Sequence, residues 1–120
     1  MDLETELDHI LAELGMNPLG DKRDFALVKE VILLAVRYPN TWQVRYLERI
    51  GKRECITRER VRQILYKAVW DHWTPQSVHI LSEHFGRPIQ PQFKRVKPTH
   101  IEFITLLSEE LLKEYPRLAV

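Results

Sequence analysis

The chain has 120 residues, 44% of them hydrophobic and 29% charged, with 18 Lys and Arg against 17 Asp and Glu. That length suits one domain, residues 1–120, with a core of its own, and the composition excludes wholesale disorder. The single cysteine excludes an internal disulfide framework, residues 31–36 are too short an apolar run to span a bilayer, and no secretory leader opens the chain, so a cytoplasmic protein without a membrane partner is expected.

Leu3, Leu7, Ile10, Leu11 and Leu14 recur at helical spacing, with Gly15 placed to end the helix. Residues 16–20 read as a loop. Asp21 is placed to cap a second helix carrying Phe25, Val28, Ile32 and Ala35, which ends before Pro39-Asn40. Apolar residues spread almost all round it at 31–36, which marks it as the central helix of the core. A third helix is expected over 41–51 and a fourth over 57–72. Thr74-Pro75 reads as the cap and first-turn proline of a fifth, stopping at Phe85-Gly86. Residues 87–98 contain three prolines and no helical period, so they form a loop. Thr99 and Glu102 then make a capping box ahead of Phe103, Leu106, Leu107, Leu111 and Leu112. With no strand alternation and no repeat, the expected fold is all-α: about six helices, with a helix-turn-helix at about 42–72.

The formal net charge of +1 hides strong segregation. Residues 1–15 carry five acids and no base, residues 45–67 a net +5, and residues 86–98 four bases and no acid. A single charge run is most simply a solvated face, but two basic runs flanked by acidic ends suit phosphates.

The informative stretch is residues 47–66. Ile50, Ile56, Val61 and Ile64 have the spacing of two short helices folded on each other across a turn. Gly51 sits where a larger side chain would hold them apart, and Thr57 caps the second helix. On that helix Val61, Ile64, Leu65 and Ala68 form the inward stripe, which leaves Arg58, Glu59, Arg62, Gln63 and Tyr66 outward. Arginine forks onto guanine, glutamine pairs with adenine and glutamate accepts from cytosine, so these five are the expected base contacts in a major groove. Arg49, Lys52, Arg53, Thr57, Arg60 and Lys67 flank them as expected phosphate contacts. Lys94, Arg95 and Lys97 join that set if Phe93-Lys94-Arg95-Val96-Lys97 meets the DNA backbone; a contact to a polymerase subunit, or a plain linker, are the other readings of that segment. The competing reading of the fourth helix is an exposed surface laced with ion pairs such as Glu59–Arg62.

The segment LERIGKRECITRERVRQILYKAV closely resembles the helix-turn-helix of region four of primary bacterial sigma factors, best at Thr57–Ile64. The resemblance covers some 23 residues and implies that Arg58, Glu59, Arg62 and Gln63 contact a promoter element of the minus-thirty-five kind. Glu54 departs from it, standing where an apolar residue is usual, as do the aromatic residues after Lys67. A second resemblance covers nearly the whole chain. HILAELGM, a core helix, the helix-turn-helix, LSEHFG, the Ala-Val-Trp-x-x-Trp region and the KPT-x-x-EFI motif at 97–104 look like the C-terminal effector domain of the master response regulator of sporulation initiation. It implies an all-α, six-helix unit that activates or represses transcription. Arg62, Gln63 and Tyr66 replace that family's own base-contacting set. Leu47-Glu48 and Gly51 replace its tyrosine-proline and alanine, so DNA binding is implied but not the family's DNA box. A receiver domain would need about as many residues as the whole chain, so none is expected beside the effector.

No HExxH or Cys-His spacing, glycine-rich phosphate loop, paired catalytic carboxylates or Gly-x-Ser-x-Gly elbow occurs, so no metal, cofactor or enzymatic activity is expected. The five histidines read as surface or interface residues, Cys55 as a small half-buried turn residue, and Trp42, Trp70 and Trp73 as packing, with base stacking as the alternative. The expectation is a sequence-specific double-stranded DNA-binding transcription regulator with recognition helix 57–72. It would bind a promoter-like site, and a homodimer on tandem sites is one arrangement open to it. The alternative is a protein-interaction module that docks on RNA polymerase or a sigma factor through the acidic first helix and the last helix.

Overall fold

The computed structural model describes residues 2–119, and these build six α-helices around one apolar core. Asp2 caps α1 (Leu3–Glu13) by accepting the Thr5 amide at 2.8 Å. The helix ends as its glycine predicts. Gly15, at φ 84°, bends the chain so that the Met16 amide reaches the Leu11 carbonyl at 2.7 Å and its own amide reaches that of Ala12 at 3.0 Å.

The second helix, α2 (Arg23–Arg37), starts one residue later than Asp21 would cap. Its N-cap is Lys22, which supplies no side-chain hydrogen bond. Phe25, Leu27, Val28, Val31, Ile32, Leu34, Ala35 and Val36 are all buried, and α2 packs against α1, α3, α4 and α6. It is the central helix that its all-round apolar pattern predicts.

Helix α3 (Trp42–Glu54) buries Trp42, Tyr46 and Ile50 and runs three residues past the expected end. A three-residue turn leads into α4 (Arg58–His72), where Thr57 accepts the Arg60 amide at 3.0 Å. Cys55 is exposed rather than half-buried and adopts left-handed backbone at φ 55°. The turn demands that conformation so that the Ile56 amide can return to the Gly51 carbonyl at 3.1 Å. A Cβ on Gly51 would stand 3.1 Å from the Ile56 carbonyl oxygen, so the close approach inferred from the sequence is real.

Helix α5 (Ser77–Phe85) begins later than the Thr74-Pro75 signal suggests. Thr74 accepts the Gln76 amide through its hydroxyl, and Ser77 accepts the Thr74 amide, so 74–76 close a turn first. Helix α6 (His100–Glu114) has the full capping box: Thr99 Oγ1 accepts the Glu102 amide at 3.1 Å, and Glu102 Oε1 accepts the Thr99 amide at 3.0 Å. Its Phe103, Ile104, Leu107 and Leu111 retain no solvent contact. A short 3-10 turn, Pro116–Leu118, follows. No helix among the described residues is long and apolar enough to cross a membrane.

The acidic first helix is partly spent inside the fold. Glu6 is buried, accepts the Tyr115 hydroxyl at 2.9 Å and lies 3.1 Å from His84 Nε2. Asp8 pairs with Lys29 at 2.9 Å.

Cys55→Gly is expected to stabilise the fold by about 0.5–1 kcal/mol. Left-handed backbone costs a side-chain-bearing residue about 1–2 kcal/mol, and glycine gives back part of that in unfolded-state entropy. Gly51→Val should cost about 1–3 kcal/mol by forcing the turn off α3. Urea midpoints of the two variants check both signs.

Candidate nucleic-acid interface

Helix α4 divides cleanly. Val61, Leu65, Ala68 and Val69 are buried against the core, whereas Arg58, Glu59, Arg60, Arg62, Gln63 and Lys67 are exposed and Tyr66 is half-buried. Ile64, expected inward, is only half-buried. The division follows from 3.6-residue periodicity, since one apolar stripe commits the remaining positions to solvent.

The five residues expected to contact bases share this outward face, and four of them share one depression. Glu59, Arg62, Gln63 and Tyr66 line an open hollow of about 260 Å³ together with a fifth residue, His100, from α6. Arg58 lies in the neighbouring notch of about 300 Å³, where α3 meets α4, with Leu47, Lys52, Ile56 and Thr57. Glu59 and Arg62 do form an ion pair, at 3.4 Å, but both are largely exposed. An exposed pair of that length is worth at most about 0.5–1 kcal/mol and leaves the guanidinium free to exchange it for a base.

The expected phosphate contacts are scattered. Thr57 uses its hydroxyl as the helix cap. Arg60 and Lys67 are seven residues apart on one edge of α4, and Lys67 is held by Asp71 at 2.7 Å while staying exposed. Lys52 pairs with Glu48 at 3.0 Å. Arg49 and Arg53 lie on the other flank of α3, in a groove of about 450 Å³ against α2. Arg53 is tied to acids while staying about half exposed: its two terminal nitrogens donate to Glu30 at 2.8 and 2.7 Å, and its Nε meets Glu54 at 3.1 Å. Glu54, polar where an apolar residue might stand, is explained by the same network, since it also pairs with Arg23.

Lys94 and Arg95 are exposed on the loop between α5 and α6, and that loop is pinned. Phe93 packs edge-on against Trp73 with ring centres 5.4 Å apart, and the Lys94 amide donates to Glu102 Oε2 at 3.2 Å. Lys97 is also committed, donating to the Trp70 carbonyl at 3.0 Å with its ammonium 5.3 Å from the Trp70 ring centre. Trp42 and Trp73 are buried, so they pack the core, while Trp70 lies half-buried beneath Lys97.

Two residues of this region escape sequence reasoning. His100 is buried rather than at the surface, and its Nε2 lies 3.0 Å from the hydroxyl of Tyr46, itself fully buried on α3. Burial, with the Arg62 guanidinium nearby, pushes the imidazole down to about 4, so it is neutral at physiological pH. Burial likewise pushes the Tyr46 phenol up, against the pull of Arg62. His100 Nδ1 is buried without a hydrogen-bond partner. The pair joins α3 to α6 directly behind the face that carries Arg62. Tyr46 could have been placed inward from its four-residue spacing to Trp42 and Ile50. Its contact to His100 spans 54 residues and leaves no local signal.

The chain matches no protein-family model, no curated protein and no solved structure.

The buried imidazole makes folding pH-dependent. The unfolded state takes up a proton at the ordinary value of 6.5, and the folded state refuses it until about 4. Stability from this group is therefore complete above pH 6.5 and falls as pH drops from 6.5 toward 4, by roughly 2–3 kcal/mol. Urea titrations of the parent and His100→Phe at a series of pH values check this. The parent should lose stability across that window more steeply than the variant.

Proposed function

We propose that the chain is a sequence-specific double-stranded DNA-binding regulator of transcription. In this reading α3 and α4 act as a helix-turn-helix, and the N-terminal half of α4 occupies the major groove. The carrying observation is the outward face of α4, where Arg58, Glu59, Arg62 and Gln63 stand in solvent on a helix anchored from behind by Val61, Leu65 and Ala68. Those side chains supply the hydrogen-bond patterns that distinguish base pairs, and each good pair contributes about 1–3 kcal/mol of discrimination. Arg60 and Lys67 on the α4 edge and Lys94 on the loop supply phosphate contacts that set register, with Arg95 beside them on the exposed loop apex. The resemblances to sigma-factor region four and to the sporulation-type effector support the same reading and favour a promoter-like target.

A second reading is a protein-docking module for polymerase or a sigma factor, and one observation favours it. Arg45 stacks on Tyr38 with its guanidinium 4.0 Å from the ring centre, and Arg37 donates to the Tyr38 hydroxyl at 3.2 Å. Arg49 adds its charge to that cluster on the α2 side of α3. A basic, part-aromatic surface away from α4 suits an acidic polypeptide. The last helix also keeps an outward face, where Ile101, Thr105, Leu106 and Glu109 line an open groove of about 260 Å³.

Selection from random duplexes at low salt tests the DNA reading, which fails if no sequence is enriched. Against an enriched site, Arg58→Ala or Gln63→Ala should cost about 1–3 kcal/mol and relax one base position. Arg60→Ala should weaken all duplexes alike and lower the salt slope by about one. Titration of duplexes at several salt concentrations separates the two behaviours.

A further inference from the structure

The DNA reading uses the first half of α4, but the same face continues beyond it. Glu59, Gln63, Tyr66 and Trp70 recur at helical spacing and form one stripe. Tyr66 and Trp70 stack with ring centres 5.6 Å apart and planes 16° from parallel. The loop of residues 86–98 is fastened over the far end of that stripe by Lys97 on Trp70, and nearby by Phe93 on Trp73. Between the two anchors the chain turns outward. Lys94 and Arg95 are exposed, and Val96 keeps 93% of its surface in solvent, more than any other large apolar residue described. A valine held this far out between cations, on a loop pinned at both sides, contributes nothing to the core.

The dimensions place this apex. At 1.5 Å per residue, the stretch from Arg58 to Tyr66 is about 12 Å long, and Trp70 lies about 6 Å further on. With α4 set across the major groove, N-terminal half inward, the groove width of about 12 Å is spanned by the reading half, and Trp70, with the loop above it, meets the edge. Past that edge lie one phosphate strand and then the adjacent minor groove.

We propose that the Lys94-Arg95-Val96 apex is a wing, with Arg95 and Val96 entering the minor groove beside the major-groove site and Lys94 on the intervening phosphates. This rests on the DNA reading of α4. Lys97 braces the wing through Trp70 and is not itself a contact. The minor groove distinguishes A·T from G·C chiefly through the guanine amino group, and a narrow A·T groove attracts arginine. An apolar side chain likewise enters where no amino group blocks the floor. The wing therefore selects A·T pairs flanking the site read by α4.

The test uses the full chain and an enriched duplex whose flank is rebuilt in three forms: A·T, G·C and inosine·C. Inosine·C has the major-groove pattern of G·C and the minor-groove pattern of A·T. Binding should weaken about fivefold or more with G·C and recover with inosine·C. Arg95→Ala with Val96→Ala should erase that difference while leaving base preferences under α4 unchanged. Lys97→Met should do the same, with its thermal unfolding compared against the parent to show that the fold survives. The proposal is overturned if inosine·C behaves like G·C. It is also overturned if the double variant weakens every flank alike, which would make the apex a phosphate contact only, or if it has no effect on DNA, which would leave Val96 to a protein partner. If no duplex is enriched at the outset, the DNA reading itself has failed, and the wing with it.

Discussion

Helix α6 packs along α2 through Phe103, Ile104, Leu107 and Leu111, all completely buried, and the first turn of α6 therefore lies beneath α3, α4 and the preceding loop. Burial of such side chains contributes about 1.5–3 kcal/mol each, which makes this contact the main restraint on where α6 begins. The capping box fixes the same end by hydrogen bonds. His100 then meets Tyr46 of α3, Glu102 receives the Lys94 amide of the loop, and Phe103 packs with Trp73 just beyond the end of α4. One helix start thus registers the candidate reading face, its support and the basic loop relative to each other.

The charges sort by the same logic. Two acids that the core encloses become staples, Glu6 with His84 and Tyr115 and Glu110 with Arg87 and Lys113, and at the surface Glu30 ties Arg53 across α2 and α3. In Glu6, hydrogen bonds from its neighbours outweigh burial and hold the carboxyl below its ordinary range. The bases left in solvent concentrate on the outward face and edges of α4, the loop apex and the α2 side of α3. A near-zero net charge is thus compatible with locally basic surfaces, and non-specific attraction to a polyanion should be modest and salt-sensitive.

Much of the fold is legible because its determinants are local. Apolar periodicity marks all six helices, Gly15 and Gly86 end two of them, and Thr57 and Thr99 cap two more. The failures lie where local signals compete. Asp21 has cap chemistry but sits one residue early, and Thr74-Pro75 closes a turn instead of opening α5. Cys55 occupies a left-handed position that would announce itself only as glycine. In the candidate site, the outward positions of Arg58, Glu59, Arg62, Gln63 and Tyr66 follow from the inward stripe on the same helix. The fate of each flanking cation does not, because Arg53 is claimed by Glu30, 23 residues away, and Lys97 by Trp70, 27 away.

The sequence by itself determined the helical class, the division of α4 into apolar and polar faces, and the segregation of charge along the chain, because periodicity and caps act within a few residues. Only the tertiary structure decided that His100 is a buried neutral imidazole behind Arg62, that Arg53 pairs with Glu30 and Lys97 with Trp70, and that residues 93–97 stand braced beside α4. Those outcomes depend on which surfaces α2 and α6 bring together, and side chains that meet across more than twenty residues have no signature in local spacing.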